Sequence, residues 1–104
     1  MEYQLVLQFQ GDTLSDYDAM IGLEDDLIVG LDDMAEVDGH DIGSGETNIF
    51  IFTSEPEVTF QHARIVLERF SLLSTVIAAY RSTTDEHFTV IWPLGHSKSF
   101  RSHD

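Results

Sequence analysis

Residues 2 to 10 alternate in a way that constrains the fold from the first turn of chain: Tyr3, Leu5, Leu7 and Phe9 fall on one side, and Glu2, Gln4, Gln8 and Gln10 on the other, with only Val6 interrupting the polar side. A period of two residues belongs to a strand that buries one face, and such a face requires a cover. The following segment supplies one. After Gly11 and Asp12 the spacing becomes helical, with Tyr17, Met20, Ile21, Leu27, Ile28 and Leu31 forming an apolar stripe and Asp18, Asp25, Asp26 and Asp32 lying mostly off it. Ser15 followed by Asp18 reads as an N-cap with an acidic residue at the third helical position, where the helix dipole favours negative charge. Gly30 and the pair Asp32 and Asp33 mark the end, although carboxylates there oppose the dipole.

From Ala35 to Thr53 the pattern gives two extended runs around Gly43-Ser44-Gly45, a loop with the chemistry of a hairpin turn. Asn48 to Thr53 is apolar on both parities and suits an interior strand, whereas Glu36 to Asp41 is polar and suits an edge. Ser54 and Glu57 have the spacing of a capping box, with Pro56 tolerated in the first turn of a second helix. That helix presents Phe60, Ala63, Val66, Leu67 and Phe70 to the core. Thr75 to Arg81 and His87 to Trp92 read as a final hairpin, closed by Pro93.

The succession strand, helix, strand, strand, helix, strand, with one strand added, predicts an α+β fold: a ferredoxin-like βαββαβ sandwich with one extra C-terminal strand. Two right-handed crossovers put both helices on one face of an antiparallel sheet, in the order 5-4-1-3-2. A single domain over residues 1–93 is expected, followed by a flexible polar tail over 94–104. A chain of 104 residues with 42% hydrophobic content is large enough for one packed core.

Charge decides which partners to exclude. The fifteen acidic residues from Glu2 to Glu57 precede the first basic side chain, Arg64, and the whole chain carries a formal charge of -14. A field of that sign repels nucleic acid, phospholipid surfaces and anionic metabolites, and attracts cations and basic proteins. The absence of cysteine excludes disulfides and thiolate metal sites. The first residues lack a signal peptide's basic and apolar regions, and no apolar run reaches the roughly 18 to 20 residues of a membrane span, so a cytoplasmic protein is expected.

Chemistry has two candidate locations. Asp38, His40, Asp41 and Glu46 crowd the first hairpin; with Gly43 to Gly45 as its turn, Ile42 faces Glu46, His40 faces Asn48 and Asp38 faces Phe50. That register puts Asp38, His40, Glu46 and Asn48 on one sheet face, where imidazole and carboxylates could hold a divalent cation such as zinc or manganese, or act as an acid–base pair. The spacing matches neither a calcium loop nor an H-E-x-x-H helix, and a polar edge hairpin explains the same residues. The second location is the acidic run Glu24, Asp25, Asp26, Asp32 and Asp33, which could form an anionic face toward a basic protein or serve only to solvate the chain. No G-x-S-x-G elbow or phosphate-binding loop is present.

The hairpin Asp38-Gly39-His40-Asp41-Ile42-Gly43-Ser44-Gly45-Glu46-Thr47-Asn48-Ile49-Phe50-Ile51 resembles one found in small uncharacterised bacterial proteins with ferredoxin-like topology. The resemblance implies a fold and carries over no catalytic residue. The expectation is a small acidic, non-enzymatic interaction module, an inhibitor or immunity-type protein binding a basic partner through the acidic run. The alternative is a metal- or small-ligand-binding protein, enzymatic or not, using the hairpin, and a homodimer formed through the last strand or the open sheet face is a third.

Overall fold

A computed structural model describes residues 2–10, 17–43 and 45–93. In chain order these form β1 (Tyr3–Gln10), α1 (Tyr17–Leu31), a 3-10 turn (Asp32–Met34), β2 (Ala35–Gly43), β3 (Glu46–Thr53), α2 (Pro56–Arg69), β4 (Val76–Ser82) and β5 (Thr89–Trp92). The result is an α+β fold with two helices and a five-stranded antiparallel sheet, ordered β2-β3-β1-β4-β5. This is the expected order read from the opposite edge, and β5 makes it differ from a simple four-stranded ferredoxin sheet. The Ser15 cap and the polar tail over 94–104 lie outside the described residues. Among the described residues no helix is long and apolar enough to cross a membrane.

One core lies between the helices and the sheet. Leu5, Leu7 and Phe9 of β1 meet Met20, Leu23, Leu27 and Leu31 of α1, Phe60, Ala63, Val66 and Leu67 of α2, and Ile49, Ile51, Val76 and Ala78 of the flanking strands. The stripe of α1 is rotated from the expected one. Leu23 is fully buried and Ile28 is 53% exposed, because spacings of three, four and four from Met20 to Leu31 line one side and leave Ile28 a hundred degrees past it.

β1 also departs from the expectation of a single buried face. Gln4, Val6 and Gln8 are buried as well, since β1 is central and its second face is enclosed by Phe50, Asn48, Ile77 and Ala79 of its two neighbours. The amides there are satisfied within the sheet: Gln10 Nε2 donates to Gln8 Oε1 at 2.9 Å, Gln8 Nε2 to Asn48 Oδ1 at 3.1 Å, and Asn48 Nδ2 to Glu46 Oε1 at 3.2 Å.

Helix α2 begins at Pro56, with Glu55 in the capping position and no side-chain cap, so the expected Ser54–Glu57 box does not form. Thr53 takes over the local hydrogen bonding. Its Oγ1 accepts the Glu55 backbone N–H at 3.0 Å and lies 2.7 Å from Thr59 Oγ1, which ties the end of β3 to the first turn of α2. At the other end Leu72 N–H donates to Leu67 O at 2.9 Å and Ser71 N–H to Glu68 O at 3.0 Å, closing the helix through a left-handed residue, Ser71.

Candidate functional site

The first hairpin is shorter in its turn than expected, and that single residue redistributes the candidate ligands. Gly43 pairs with Glu46, Asp41 with Asn48 and His40 with Ile49, so the register slips by one and every side chain of β2 in this stretch changes face. His40 accordingly faces α1, while Asp41 and Glu46 lie on the opposite side of the sheet. Asp38 is the extra residue of a β-bulge between Val37 and Gly39 and points to solvent. Gly39, at φ 137°, and Gly45, at φ 77°, supply the backbone conformations that the bulge and the tight turn demand. The shared face proposed for Asp38, His40, Glu46 and Asn48 is thus reduced to Glu46 and Asn48. Among the described residues no three His, Cys, Asp or Glu side chains group around a common point.

His40 instead meets Glu24. Its Nδ1 lies 3.0 Å from Glu24 Oε1, and since an ionised carboxylate only accepts, the ring directs its Nδ1–H to that oxygen. Glu24 is 8% exposed, which removes it from the solvent-facing acidic run where the sequence placed it. The pair fastens α1 to the edge strand. Replacing His40 by Ala leaves a largely buried carboxylate without this donor, and the expected loss is about 1–3 kcal/mol in a denaturant titration. Glu24→Gln with His40 retained should cost less, because an amide tolerates burial better than a charge.

The remaining residues of the acidic run separate. Asp26 Oδ2 faces Arg69 of α2 at 3.9 Å, an exposed pair of small energetic consequence. Asp25 is exposed on α1, and Asp32 and Asp33 are exposed in the 3-10 turn. Cross-strand pairing then shows where these last two lie. Ala35, Thr53, Tyr3 and Ser82 form one row across four strands, so the chain segments next to that row all meet at the same end of the sheet. They bring together Glu2, Asp32, Asp33, Glu36, Glu55, Glu57, Asp85 and Glu86, all exposed. Residues from four separate stretches of sequence therefore build one anionic end.

Arg81 sets one positive charge against these eight carboxylates. The Arg81 guanidinium is engaged with Gln4 Oε1 at 3.1 Å and with the carbonyls of Ser82 and Asp85 at 3.3 and 2.9 Å. His87 Nδ1 lies 3.1 Å from Asp85 Oδ1, and the His87 backbone N–H, donating to the same oxygen, holds the Asp85 carboxyl below its ordinary range. Apolar side chains accompany the acids: Ile28 and Val29 are 53% and 79% exposed in the last turns of α1, and Val58 is 45% exposed in the first turn of α2.

A cleft of about 300 Å³ opens at this end between the sheet and α2, lined by Tyr3, Ser54, Glu55, Pro56, Glu57, Val58 and Tyr80. The two tyrosine rings meet edge to face, with centroids 5.7 Å apart and planes at 82°. Tyr3 and Tyr80 are distant in sequence, and only the registers of β1 and β4 bring them together. Alternation identifies Tyr3 as core-facing but does not reveal its partner.

No protein-family model matches the chain, nor does any curated protein or solved structure.

Proposed function

We propose that this protein is a small, non-enzymatic interaction module that receives a basic protein surface at the acidic end of its sandwich. The gathering of Glu2, Asp32, Asp33, Glu36, Glu55, Glu57, Asp85 and Glu86 around one row of the sheet carries this reading. Such a field speeds encounter with a cationic surface and repels phosphate backbones. Exposed Ile28, Val29 and Val58 among the acids offer apolar contact once the charges have met. The binding residues are revised accordingly: Asp32 and Asp33 stay, Glu55 and Glu57 join them, and Glu24 becomes a support of α1. An inhibitor or immunity-type role in the cytoplasm, acting on a protein with a basic cleft, fits this surface.

The same reading treats the architecture as a ferredoxin-like sandwich extended by β5. Its support is that α1 connects two parallel strands flanking β3, and α2 connects two parallel strands flanking β1, which is the split βαβ arrangement.

The alternative use of acidity, simple hydration in a salty medium, is separated by position. The immobilised chain should capture a basic protein from native lysate at low salt and release it as salt rises. Asp33→Asn, Glu55→Gln and Glu57→Gln together should weaken capture about tenfold, whereas Asp38→Asn, Asp41→Asn and Glu68→Gln together, removing the same charge elsewhere, should leave it nearly intact. Equal losses in the two triple variants, or no basic protein retained by the unaltered chain, would refute the proposal.

A further inference from the structure

Resting on the basic-partner reading, we infer that the cleft between Tyr3 and Tyr80 is a receptor for a single arginine side chain of that partner. Two observations point to a cation and a third to its size. The cleft has aromatic walls, with two half-buried tyrosines whose rings present π-surface and polar tips. Its rim carries Glu55 and Glu57, exposed carboxylates that form no ion pair among the described residues. Its volume, about 300 Å³, lies at the lower limit for ligand pockets and suits one side chain better than a metabolite.

The start of α2 at Pro56 adds roughly half a positive charge, which on its own would favour an anion. Two full carboxylates, Glu55 at the cap and Glu57 in the first turn, outweigh it and reverse the local sign. Between the natural cations, guanidinium fits this geometry better than ammonium. A flat, weakly hydrated group can stack on one tyrosine while its N–H fork addresses a carboxylate at the rim, whereas a lysine head loses more hydration on leaving water. The fold already uses this chemistry internally, with the Arg64 guanidinium 4.6 Å from the centre of the Trp92 ring.

The probe is N-acetyl-arginine amide, compared with N-acetyl-citrulline amide, which has nearly the same shape and no charge. In an NMR titration of the full chain, the arginine compound should shift the ring resonances of Tyr3 and Tyr80 and the amides of Glu57 and Val58, binding about fivefold or more tighter than citrulline. Tyr80→Phe should keep this response and Tyr80→Leu should lose it. Glu55→Gln with Glu57→Gln, both at exposed positions, should lose it as well, and this pair decides the matter if Tyr80→Leu fails to fold. Equal responses to arginine and citrulline, or shifts spread evenly over all exposed carboxylates, would overturn the cleft. The two proposals fail separately: a localised arginine response without lysate capture removes the partner and keeps the cleft, and position-dependent capture without an arginine preference does the reverse.

Discussion

Phe60→Ala is expected to lower stability by about 3–5 kcal/mol, the range for emptying an aromatic position in a packed core. For a domain of this size that corresponds to a fall of well over ten degrees in the melting temperature, at about 4–8 °C per kcal/mol. Phe60 is 2% exposed on α2, and its ring centroid lies 6.0 Å from that of Trp92 on β5. β5 is a four-residue edge strand with a register irregularity, so much of its attachment passes through Trp92. The indole N–H donates to Leu73 O at 3.0 Å, while its ring meets both Phe60 and the Arg64 guanidinium. Removing Phe60 takes away one wall of that site and hydrates the indole. Because the chain has one tryptophan, its emission reports the change directly, and a shift to longer wavelength should accompany the lost stability. Phe60→Leu, which retains most of the volume, should cost less than about 1.5 kcal/mol. A loss below about 1 kcal/mol for the alanine variant, with unchanged emission, would show that the helix and the last strand are held together elsewhere.

Much of this architecture was written in periodicities that survive without tertiary context. β1, the interior character of β3, the edge character of β2 and the stripe of α2 all follow from which residues recur at spacing two or at three and four. The strand order was drawn from right-handed crossovers, and the sheet has that order. Failures occurred where one residue decides the outcome. A three-residue turn and a two-residue turn fit Gly43-Ser44-Gly45 equally well by composition, yet they send His40 to opposite faces of the sheet. In α1, Ile28 and Leu23 compete for the core stripe, and a shift of the stripe by one residue, set by the spacing of Met20, Leu23, Leu27 and Leu31, buries Leu23 and exposes Ile28. The capping box failed because the helix starts one residue later than the box requires: with Glu55 at the cap and Pro56 first in the helix, Ser54 precedes the cap and Glu57 stands at the second helical position instead of the third.

The candidate site was legible only in part, for a different reason. Acid segregation along the chain is visible in sequence, but its placement in space depends on which segments share a row. Glu24, in the densest acidic run, turned inward to His40, while Glu2, Glu55, Glu57, Asp85 and Glu86, scattered along the chain, came together with Asp32 and Asp33. Linear charge density measured the wrong proximity. The Tyr3–Tyr80 cleft is a stronger instance, since its walls come from opposite ends of the described chain and meet only because β1 and β4 are neighbours.

Asn48→Asp is the substitution expected to act most sharply with pH. Asn48 is 1% exposed and works in both directions, its Oδ1 accepting from Gln8 Nε2 at 3.1 Å and its Nδ2 donating to Glu46 Oε1 at 3.2 Å. A carboxylate at this position keeps the first bond and turns the second into a contact between two acids in a poorly solvated place. At neutral pH the cost should be about 3–5 kcal/mol, the scale for a buried charge lacking compensation. Two carboxyl groups this close cannot both ionise readily, so one of the variant's pair must bind a proton more tightly when folded than when unfolded. The sign follows from that difference. A carboxyl whose folded pKa lies above its unfolded value leaves the protein least stable at pH values above both, and the penalty fades as pH falls toward the unfolded value near 4. Once protonated, the introduced carboxyl can donate to Glu46 and restore the missing bond. The variant should therefore recover much of its stability, relative to the parent chain at the same pH, between about pH 7 and pH 4. Asn48→Leu is the control: it loses both hydrogen bonds at every pH, costs about 2–4 kcal/mol and gains nothing by acidification. Parallel stability curves for the aspartate and leucine variants across that range would mean that Glu46 and the introduced carboxyl do not share a proton and that the polar chain across β1 and β3 does not act as a unit.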